Sequence, residues 1–298
     1  MKPWVVAATQ LAVPQADVEA SLRVHAEIIA ETAAAGCDLV VFPELSVTGH
    51  NAGIDAIRLA EPLDGPIFEV VRDLATRHGM LVSYGFCERF RGTHYNSSVI
   101  VGPDGLLGVH RKVHASFDEF LRFRQAYEWK VWDVGPATVG TAICHDSDFF
   151  ETWRILALLG ADVILLPHAD RKRFGADGRL TFDGAGRRVG RRQLLRAQRE
   201  LLRPTSDLPR FQAVAARDNG VFAVYSSHVG FDGHSTHVGG AYVLGPDGRT
   251  LGQTLPGVET AWVKAHLDPS QLAVVRENPA FALRTRRPET YGELVARL

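Results

Sequence analysis

The sequence has no long hydrophobic run and no feature of a secreted or membrane-bound chain. No window in its 298 residues approaches about 18 consecutive apolar residues, the length that a membrane-spanning helix needs. Met1 is followed by a short strand-like run, Trp4 to Thr9, in place of the basic segment and apolar stretch of a secretion signal. The chain is 46% hydrophobic, enough to bury a sizeable core, and we expect a cytoplasmic protein without a membrane partner.

Cysteine is scarce. Three cysteines stand at wide spacing and without a C-x-x-C pair, namely Cys37, Cys87 and Cys144. This arrangement argues against a disulfide framework and a cysteine zinc site, and it fits a reducing compartment. A metal site formed by His228, His234 and His237 is a weaker alternative, because their spacing matches no strong metal motif. We therefore predict no metal and no other cofactor.

The formal net charge of -1 hides one strongly basic segment. Residues 171–203 hold eleven Lys and Arg residues against three acidic ones, so a basic arm is carried on an acidic body. The arm, placed at residues 171–208, includes an amphipathic helix candidate, Gln193–Leu202. It can be a solvated excursion, a lid or subunit contact, or a dock for an anionic partner. The lack of interleaved aromatic residues argues against nucleic acid.

The stretch Val139–Glu151 (V-G-T-A-I-C-H-D-S-D-F-F-E) is the first candidate for chemistry. It begins as the apolar, β-branched run of a buried strand and then changes abruptly to a thiol and polar residues. Cys144 is thus predicted at the carboxyl end of a strand, just before a helix. Ligands bind at such edges in open α/β folds, where the following N–H groups point towards an electrophile. The alternative is that Cys144 is a small core residue.

Two charged residues also end predicted strands. Glu44 follows the apolar strand that begins near Asp38, and Lys112 ends the return strand of a hairpin. Each alone is ordinarily a solvated charge. A thiol with a pKa of about 8.5 needs a base or a cation at neutral pH, so Glu44 can take its proton and Lys112 can stabilise the thiolate and later the oxyanion. A shared catalytic site is the simplest reason for three such strand ends.

An internal repeat relates two parts of the chain. Ala35–Glu44 and Leu159–His168 share Gly-x-Asp, four apolar residues, Pro and a polar last residue, and Gly-Pro-Asp-Gly recurs at 102–105 and 245–248. We infer two similar α/β halves whose strand ends face one site. The pairing gives His168 the position of Glu44, which places His168 near that site.

An aromatic-rich segment, His114–Gly135, connects Lys112 to the cysteine strand. Its rings, including Trp129, can line a substrate pocket. Its acids Asp118, Glu119 and Glu128 can reach into one.

These motifs make the sequence resemble the nitrilase superfamily of carbon–nitrogen hydrolases. The family's glutamate motif is matched by Val41–Glu44 (V-F-P-E), its lysine motif by Arg111–His114 (R-K-V-H) and its cysteine motif by Cys144–Glu151 (C-H-D-S-D-F-F-E). Further matches extend over nearly the whole chain and are found at Tyr95–Ser97, Ala216–Asn219, Gly233–Ser235 and Arg287–Glu289.

The resemblance implies an α/β fold, a four-layer α-β-β-α sandwich with two facing mixed sheets and helices outside, to which the repeat adds an internal pseudo-twofold. We expect one domain over residues 1–298 and a homodimer or larger homo-oligomer. The tail at 269–298 has no obvious core pattern and is expected to pack on a neighbouring subunit. The implied activity is hydrolysis of a small linear amide, or of an N-carbamoyl amine, through a thioester formed by a Glu-Lys-Cys triad.

The family also has a second glutamate, in the pattern E-x-x-x-F/Y-x-x-G. Glu128–Gly135 (E-W-K-V-W-D-V-G) fits that spacing, so Glu128, and not Glu119, is assigned to hold Lys112 and to help move protons. The N–H of His145 is assigned to the oxyanion.

Two departures from the family pattern bear on the substrate. Asp148 stands where many members have arginine, and Phe150 replaces a proline. If Asp148 lines the pocket, it argues against an anionic substrate and favours a cationic or amine-bearing amide; it can instead pair with the basic arm. The same triad would serve a nitrilase or an N-acyltransferase. A non-catalytic binding module is the alternative from another class.

Overall fold

The computed structural model describes residues 1–12, 16–50, 55–116, 119–170, 173–174, 180–181, 190–201, 211–232 and 236–296. The α-helices are α1 (Val18–Ala34), α2 (Asp55–Arg58), α3 (Pro66–His78), α4 (Phe150–Leu158), α5 (Arg191–Leu201), α6 (Phe211–Asn219), α7 (Pro269–Arg276) and α8 (Ala282–Thr285). Short 3-10 helices cover Glu119–Leu121, Cys144–Asp148, Pro288–Thr290 and Gly292–Val295. The strands are β1 (Trp4–Leu11), β2 (Leu39–Val41), β3 (Leu81–Phe90), β4 (Thr93–Gly102), β5 (Gly105–Arg111), β6 (Val131–Asp133), β7 (Thr138–Thr141), β8 (Val163–His168), β9 (Arg173–Phe174), β10 (Leu180–Thr181), β11 (Phe222–Phe231), β12 (Thr236–Val238), β13 (Tyr242–Leu244), β14 (Thr250–Gln253) and β15 (Ala261–Leu267).

The ends of the first helices follow from local chemistry. The Asp17 side chain accepts a hydrogen bond from the Ala20 N–H and so caps α1. Pro66 occupies the first turn of α3, where its missing N–H costs nothing, and Gly79 ends that helix in the left-handed conformation.

The strands form two mixed sheets that meet where β1 and β11 pair. The first sheet has the order β5-β4-β3-β2-β1-β15 and the second β6-β7-β8-β11-β13-β14. β1 and β11 pair in parallel at their ends, Gln10 with Ser227 and Leu11 with His228. In each sheet three neighbouring strands are parallel, β1-β2-β3 and β7-β8-β11. The carboxyl ends of each parallel set therefore reach the same edge of its sheet.

Three apolar layers show how the sheets and helices stack. The central layer packs first-sheet residues such as Val6 against second-sheet residues such as Leu165. On the outside of the first sheet, α1 and α3 contribute Ile29 and Val71, and on the outside of the second, α4 contributes Trp153. Because each helix buries one face against a sheet, the layers follow the order α-β-β-α. The four-layer sandwich predicted from the family resemblance is confirmed.

The sheet order also contains the internal repeat. The two sheets have the same strand order when β15-β1-β2-β3-β4-β5 is aligned with β6-β7-β8-β11-β13-β14. In this alignment β2 corresponds to β8, and these are the two strands of the Gly-x-Asp pattern. The alignment also pairs the hairpin β4-β5 with the hairpin β13-β14, the two Gly-Pro-Asp-Gly turns. The strands β15 and β6 are the antiparallel neighbours of β1 and β7. The pseudo-twofold is therefore a property of the whole strand order.

The described part of the basic arm includes a helix that packs on the body. The predicted helix Gln193–Leu202 corresponds to α5, which buries Leu194 and Ala197 against Val229 and Val238. The buried Gln198 side chain donates to the Val238 carbonyl oxygen over 2.6 Å. This helix is therefore not a solvated excursion. Residues 171–172, 175–179, 182–189 and 202–208 of the arm lie outside the described residues.

The first part of the C-terminal tail packs on its own chain. α7 buries Leu272 in the central layer, and the Arg276 guanidinium donates to the carbonyl oxygens of Gly220 and Ala161. Beyond Phe281 the side chains are mostly exposed. Among the described residues, no helix combines the length and the apolar character needed to cross a bilayer.

Candidate active site

Three strand ends bring Glu44, Lys112 and Cys144 to one place. Glu44 follows β2, Lys112 follows β5 directly, and Cys144 follows β7. The Lys112 Nζ donates to Glu44 Oε1 over 2.6 Å, and both side chains are buried. Cys144 is close enough to both charges for them to affect the pKa of its thiol, and it remains partly exposed. The acid, the cation and the thiol therefore share one site.

Cys144 lies on a strained turn. Its φ of 47° is in the left-handed region, which is unfavourable for a residue with a side chain. It begins the 3-10 helix Cys144–Asp148, so the chain reverses sharply just after the strand. The Ser147 Oγ donates to the Cys144 carbonyl oxygen over 2.9 Å and holds this turn closed. A sharp turn of this kind presents a nucleophile at the end of its strand.

The buried carboxylate of Asp146 stabilises the same turn. Asp146 accepts hydrogen bonds from the Ile143 N–H and from the His114 N–H at 3.2 and 2.7 Å, and from the rings of His110 and His114 at 3.1 and 3.0 Å. Burial alone would raise the pKa of Asp146, but the two histidines outweigh it and hold that pKa well below its ordinary value. Sequence reasoning gave Asp146 no role, although its place two residues after the cysteine was visible.

Glu44 is held by one oxygen and leaves the other available. Its Oε1 accepts from Lys112 and from the Asn96 Nδ2, the latter over 2.7 Å. No described residue hydrogen-bonds to Oε2, which is buried and lies 3.6 Å from the His50 Nε2. Burial lowers the pKa of His228 to about 3, so its ring is neutral and its Nε2–H donates to the Glu44 carbonyl oxygen over 2.6 Å. Backbone and side chain are thus both fixed, with one oxygen ready to accept a proton.

A glycine in β3 permits the turn after Glu44. A Cβ on Gly85 would lie 2.4 Å from the backbone nitrogen of Leu45, too close for any other residue. Leu45 itself has a φ of 48°. The chain after the first strand end is therefore bent tightly against β3, as the chain after the cysteine strand is bent at Cys144.

Lys112 is bound by a second carboxylate, Glu119. The Glu119 Oε2 accepts from Lys112 Nζ over 2.7 Å and from the N–H and Oγ of Ser116. Asn96 donates to both Glu44 and Glu119 and so links the two acids. Burial would raise the pKa of Glu119, but Lys112 outweighs it and the pKa falls to about 2. Glu119 is therefore ionised and holds the ammonium in place.

The prediction that Glu128 holds Lys112 is wrong. Its carboxylate is exposed and pairs with Lys130 Nζ at 2.7 Å. Glu119 opens a 3-10 helix that turns its side chain back onto Lys112, which the linear spacing of the motif does not reveal. Asp118 lies outside the described residues.

The electrostatics keep Lys112 charged and the thiol protonated before reaction. Burial alone would lower the pKa of Lys112, but Glu44 and Glu119 outweigh it and raise that pKa well above its ordinary value. Burial and the Glu44 carboxylate raise the pKa of the Cys144 thiol well above its usual range, against the opposing effect of Lys112. The thiol therefore needs a base at the moment of attack, and Glu44 is the adjacent acceptor.

A second group of polar residues lies on the β8 side of the sulfur. The Cys144 Sγ is 4.0 Å from Asp170 Oδ1, which also contacts the His168 Nδ1 at 3.1 Å. The other His168 nitrogen lies 3.0 Å from Ser147 Oγ, and the Tyr225 hydroxyl donates to Asp170 Oδ2 over 2.6 Å. The structure thus places His168 beneath the nucleophile and adds Asp170, which sequence reasoning did not single out.

The remaining sequence-predicted residues lie at the margin. His145 follows the nucleophile, and its ring pairs with the exposed Asp148 at 2.9 Å. Trp129 stacks on the His110 ring with centroids 5.2 Å apart, and so packs beside the residues that precede Lys112. The structure thus pairs Asp148 with a neighbouring side chain on the surface.

Two groups of possible metal ligands coincide with these residues. One consists of Cys144, His168 and Asp170 and the other of Glu44, His50 and Glu119, each with ligand atoms within 4.8 Å of one another. In the second group the Lys112 ammonium already binds both carboxylates. Of the histidines considered from sequence, His228 binds the Glu44 carbonyl, His237 pairs with Asp232 at 2.7 Å, and His234 lies outside the described residues.

Comparisons with known proteins agree with this geometry. The family model described as carbon–nitrogen hydrolase matches residues 5–277. An (R)-stereoselective amidase from Pseudomonas sp. is 29% identical over 263 residues, 88% of this chain and 84% of the relative. A nitrilase from Pyrococcus abyssi is 37% identical over 145 residues, 47% of this chain and 55% of the relative. A solved double mutant of the amidase from Nesterenkonia sp. AN1 in complex with acrylamide has the same fold, with a TM-score of 0.75, 20% identity and coverage of 98% of this chain and 97% of that one. The chain therefore belongs to the carbon–nitrogen hydrolase family, as its motifs indicated.

Proposed function

We propose that this protein is an amidase that hydrolyses the C–N bond of small linear amides through a thioester on Cys144. One observation carries the proposal. The Lys112 ammonium bridges two buried carboxylates, Glu44 and Glu119, beside a nucleophile on a strained turn, and one oxygen of Glu44 has no described hydrogen-bond partner. That arrangement supplies a base, a fixed cation and a thiol for acyl transfer.

Acylation begins with proton transfer from the thiol. Glu44 Oε2 takes the proton as the Cys144 sulfur adds to the amide carbonyl carbon, and the carbonyl oxygen becomes an oxyanion. Lys112 and the N–H of His145 are the donors assigned to that oxyanion, and each preorganised donor of this kind contributes about 3 kcal/mol. Glu119 keeps Lys112 charged and in position, since both of its oxygens are already bound to neighbouring donors.

Collapse of the adduct and hydrolysis return the enzyme to its starting state. The C–N bond breaks, the leaving nitrogen takes the proton from Glu44, and ammonia or an amine departs, leaving the acyl group on sulfur. Water then gives a proton to Glu44 and attacks the thioester carbonyl carbon. The sulfur leaves, recovers a proton, and the carboxylic acid is released.

A nitrilase and an N-acyltransferase would use the same residues. The similarity to the Pseudomonas amidase extends over 88% of this chain, against 47% for the Pyrococcus nitrilase, and this favours the amidase. A non-catalytic binding module would have no need of a buried lysine between two acids, because burying these charges is costly.

Turnover of matched amides and nitriles tests the proposal. We expect ammonia release from small aliphatic amides, little from the corresponding nitriles, and no dependence on an added amine. Cys144→Ala should abolish turnover while the thermal midpoint stays nearly unchanged. Turnover retained by that variant, or a wild-type enzyme that releases ammonia from nitriles alone, would contradict the proposal.

We also propose that the protein is a homodimer or larger homo-oligomer and that the end of the tail contributes to its interface. In support, Leu294 and Val295 are largely exposed, and a surface cavity of about 590 Å³ lies between the tail and α4, lined in part by Phe150 and Tyr291. Large exposed apolar side chains in one patch favour a partner surface. Sedimentation of the full chain and of a chain ending at 286 would test this. A cytoplasmic location is part of the proposal, supported by three unpaired cysteines.

A further inference from the structure

A carboxylate that the mechanism does not use stands beside the nucleophile. Asp170 follows β8 by two residues, and its Oδ1 lies 4.0 Å from the Cys144 sulfur. Its side chain is 28% exposed, whereas those of Glu44 and Glu119 are buried. Glu44 is already positioned as the base and Glu119 already holds the lysine. The acid–base chemistry therefore leaves Asp170 without a task.

Asp170 is unfavourable for the free enzyme's nucleophile. Its negative charge adds to burial and to Glu44 in raising the pKa of the Cys144 thiol. Like charges about 4 Å apart repel appreciably near a protein surface, where the effective dielectric constant is about 20. A neutral or cationic residue would make thiolate formation easier, so this carboxylate needs a compensating purpose.

The carboxylate is also held firmly in orientation. The buried Tyr225 hydroxyl donates to Oδ2 over 2.6 Å, and the buried His168 contacts Oδ1 at 3.1 Å. Burial and the nearby Asp170 raise the pKa of Tyr225 well above its ordinary value, so the phenol stays protonated and remains a donor. Two neighbours fix the group from within the protein, and its Oδ1 also lies 4.0 Å from the sulfur. A preorganised acceptor of this kind is typical of a binding residue.

We propose that Asp170 binds an amino group of the substrate, and that the preferred substrates are small amides carrying a primary amine two or three bonds from the scissile carbonyl. The distance sets the spacing. Because Oδ1 is only 4.0 Å from the sulfur, an ammonium that hydrogen-bonds to Asp170 at about 2.8 Å can lie within about 5 Å of a carbonyl carbon next to the sulfur. The substrate's positive charge also offsets the repulsion between Asp170 and the developing thiolate. This inference rests on the proposed amidase function.

Two isosteric pairs of amides test the assignment. Glycinamide and propionamide differ in one terminal group, an ammonium against a methyl, and so do β-alaninamide and butyramide. We expect wild-type kcat/KM to favour the amine of at least one pair by about 10- to 100-fold, the range of one charge-assisted hydrogen bond. Asp170→Asn should reduce that ratio towards one while neutral amides are still turned over. Asp148→Asn, at the acid that sequence favoured, should leave the ratio unchanged.

Binding to a chain that cannot react separates this inference from the proposed function. Titration of Cys144→Ala with the same pairs should show the amine preference, and adding Asp170→Asn should remove it. Turnover with no amine preference would overturn the role of Asp170 and leave the amidase proposal intact. Selective binding without turnover of any amide would overturn the amidase proposal and leave the role of Asp170 in binding intact. An equal loss for all four amides in Asp170→Asn would show that Asp170 only supports Tyr225 and His168, and would overturn the inference.

Discussion

The ends of β2 and β8 correspond in the internal repeat, where Glu44 aligns with His168, yet the acids at these two strand ends, Glu44 and Asp170, have opposite electrostatic settings. At the β2 end, Glu44 is bound directly to the Lys112 ammonium and is buried. At the β8 end, Asp170 is oriented by Tyr225 and His168 and is partly exposed. An acid paired with a fixed cation inside the protein is suited to move a proton repeatedly. A partly exposed acid that is oriented by hydrogen-bonding neighbours is suited to attract a positive group. The repeat brings the two strand ends to one site, and the residues around each acid decide its chemistry.

The largest effect on the difference between the two strand ends is expected when the Lys112 cation is removed. Lys112→Met leaves Glu44 and Glu119 buried without a counter-ion, and breaking such a pair costs about 3–5 kcal/mol of unfolding free energy. Loss of the oxyanion donor should also lower kcat/KM by at least about 1,000-fold. Denaturant unfolding and ammonia release measure the two effects. The control is Lys130→Met at an exposed pair, which should change stability by no more than about 0.5 kcal/mol. Near-normal activity of Lys112→Met would show that the oxyanion assignment is wrong.

Substitutions of Glu119 and Glu128 test which glutamate holds Lys112 at the β2 end. Glu119→Gln keeps the shape of the side chain but removes the charge that holds Lys112, and we expect kcat/KM to fall by about 100-fold. Glu128→Gln changes an exposed acid that pairs only with Lys130 among the described contacts, and its kinetics should match the wild type. The two variants compared in one ammonia assay decide between the structure and the motif spacing. A larger loss in Glu128→Gln would restore the sequence assignment.

A smaller effect is expected on the unfolding free energy at acidic pH. The pKa of Glu119 is lowered to about 2 in the folded protein, whereas its ordinary value is 4.5. A lowered pKa stabilises the fold above the unfolded value, and that contribution is lost as the pH falls from about 4.5 towards 2. The difference in unfolding free energy between wild type and Glu119→Gln should therefore shrink over this window. A difference that stays constant with pH would mean that Glu119 is not ionised.

The smallest effect is expected at the β8 end. Tyr225→Phe removes one donor to Asp170, whose exposed side chain can bind water instead, so we expect a loss of about 1 kcal/mol in unfolding free energy. The rate on neutral amides should fall by no more than about tenfold, far less than for Lys112→Met. A loss as large as that of Lys112→Met would show that the two strand ends are equally involved in the chemistry.

Much of this architecture could be predicted from the sequence because strands and their ends follow local rules. The apolar runs before Glu44 and Cys144, and the hairpin before Lys112, identify strands that stop at reactive residues. The Gly-x-Asp and Gly-Pro-Asp-Gly repeats then predict which strands correspond, and the sheet order bears this out.

The errors came from segments whose conformation is decided by tertiary contacts. Glu119 and Glu128 both precede aromatic residues in the aromatic-rich segment His114–Gly135. The 3-10 turn at Glu119 brings that glutamate, and not Glu128, to Lys112. Asp148 was considered as a substrate-binding acid because it stands where many family members have arginine, and the turn after Cys144 places its exposed side chain against His145. Asp170 is 26 residues from Cys144 and is brought to it by the pairing of β8 with β7. No linear pattern records such a contact.

The central claim is that Cys144 becomes acylated while Glu44 serves as the base. The most direct measurement is intact mass spectrometry, with peptide mapping, of the Glu44→Gln variant incubated with propionamide and glycinamide. Glu44→Gln removes the acceptor of the water's proton, which stops hydrolysis of the thioester. It also removes a negative charge that raises the pKa of the Cys144 thiol and leaves Lys112 in place, so slow acylation by the thiolate continues. The account therefore predicts a slow mass increase equal to one acyl group, located on Cys144. The same increase on another residue, or its persistence when Cys144→Ala is added, would contradict the account.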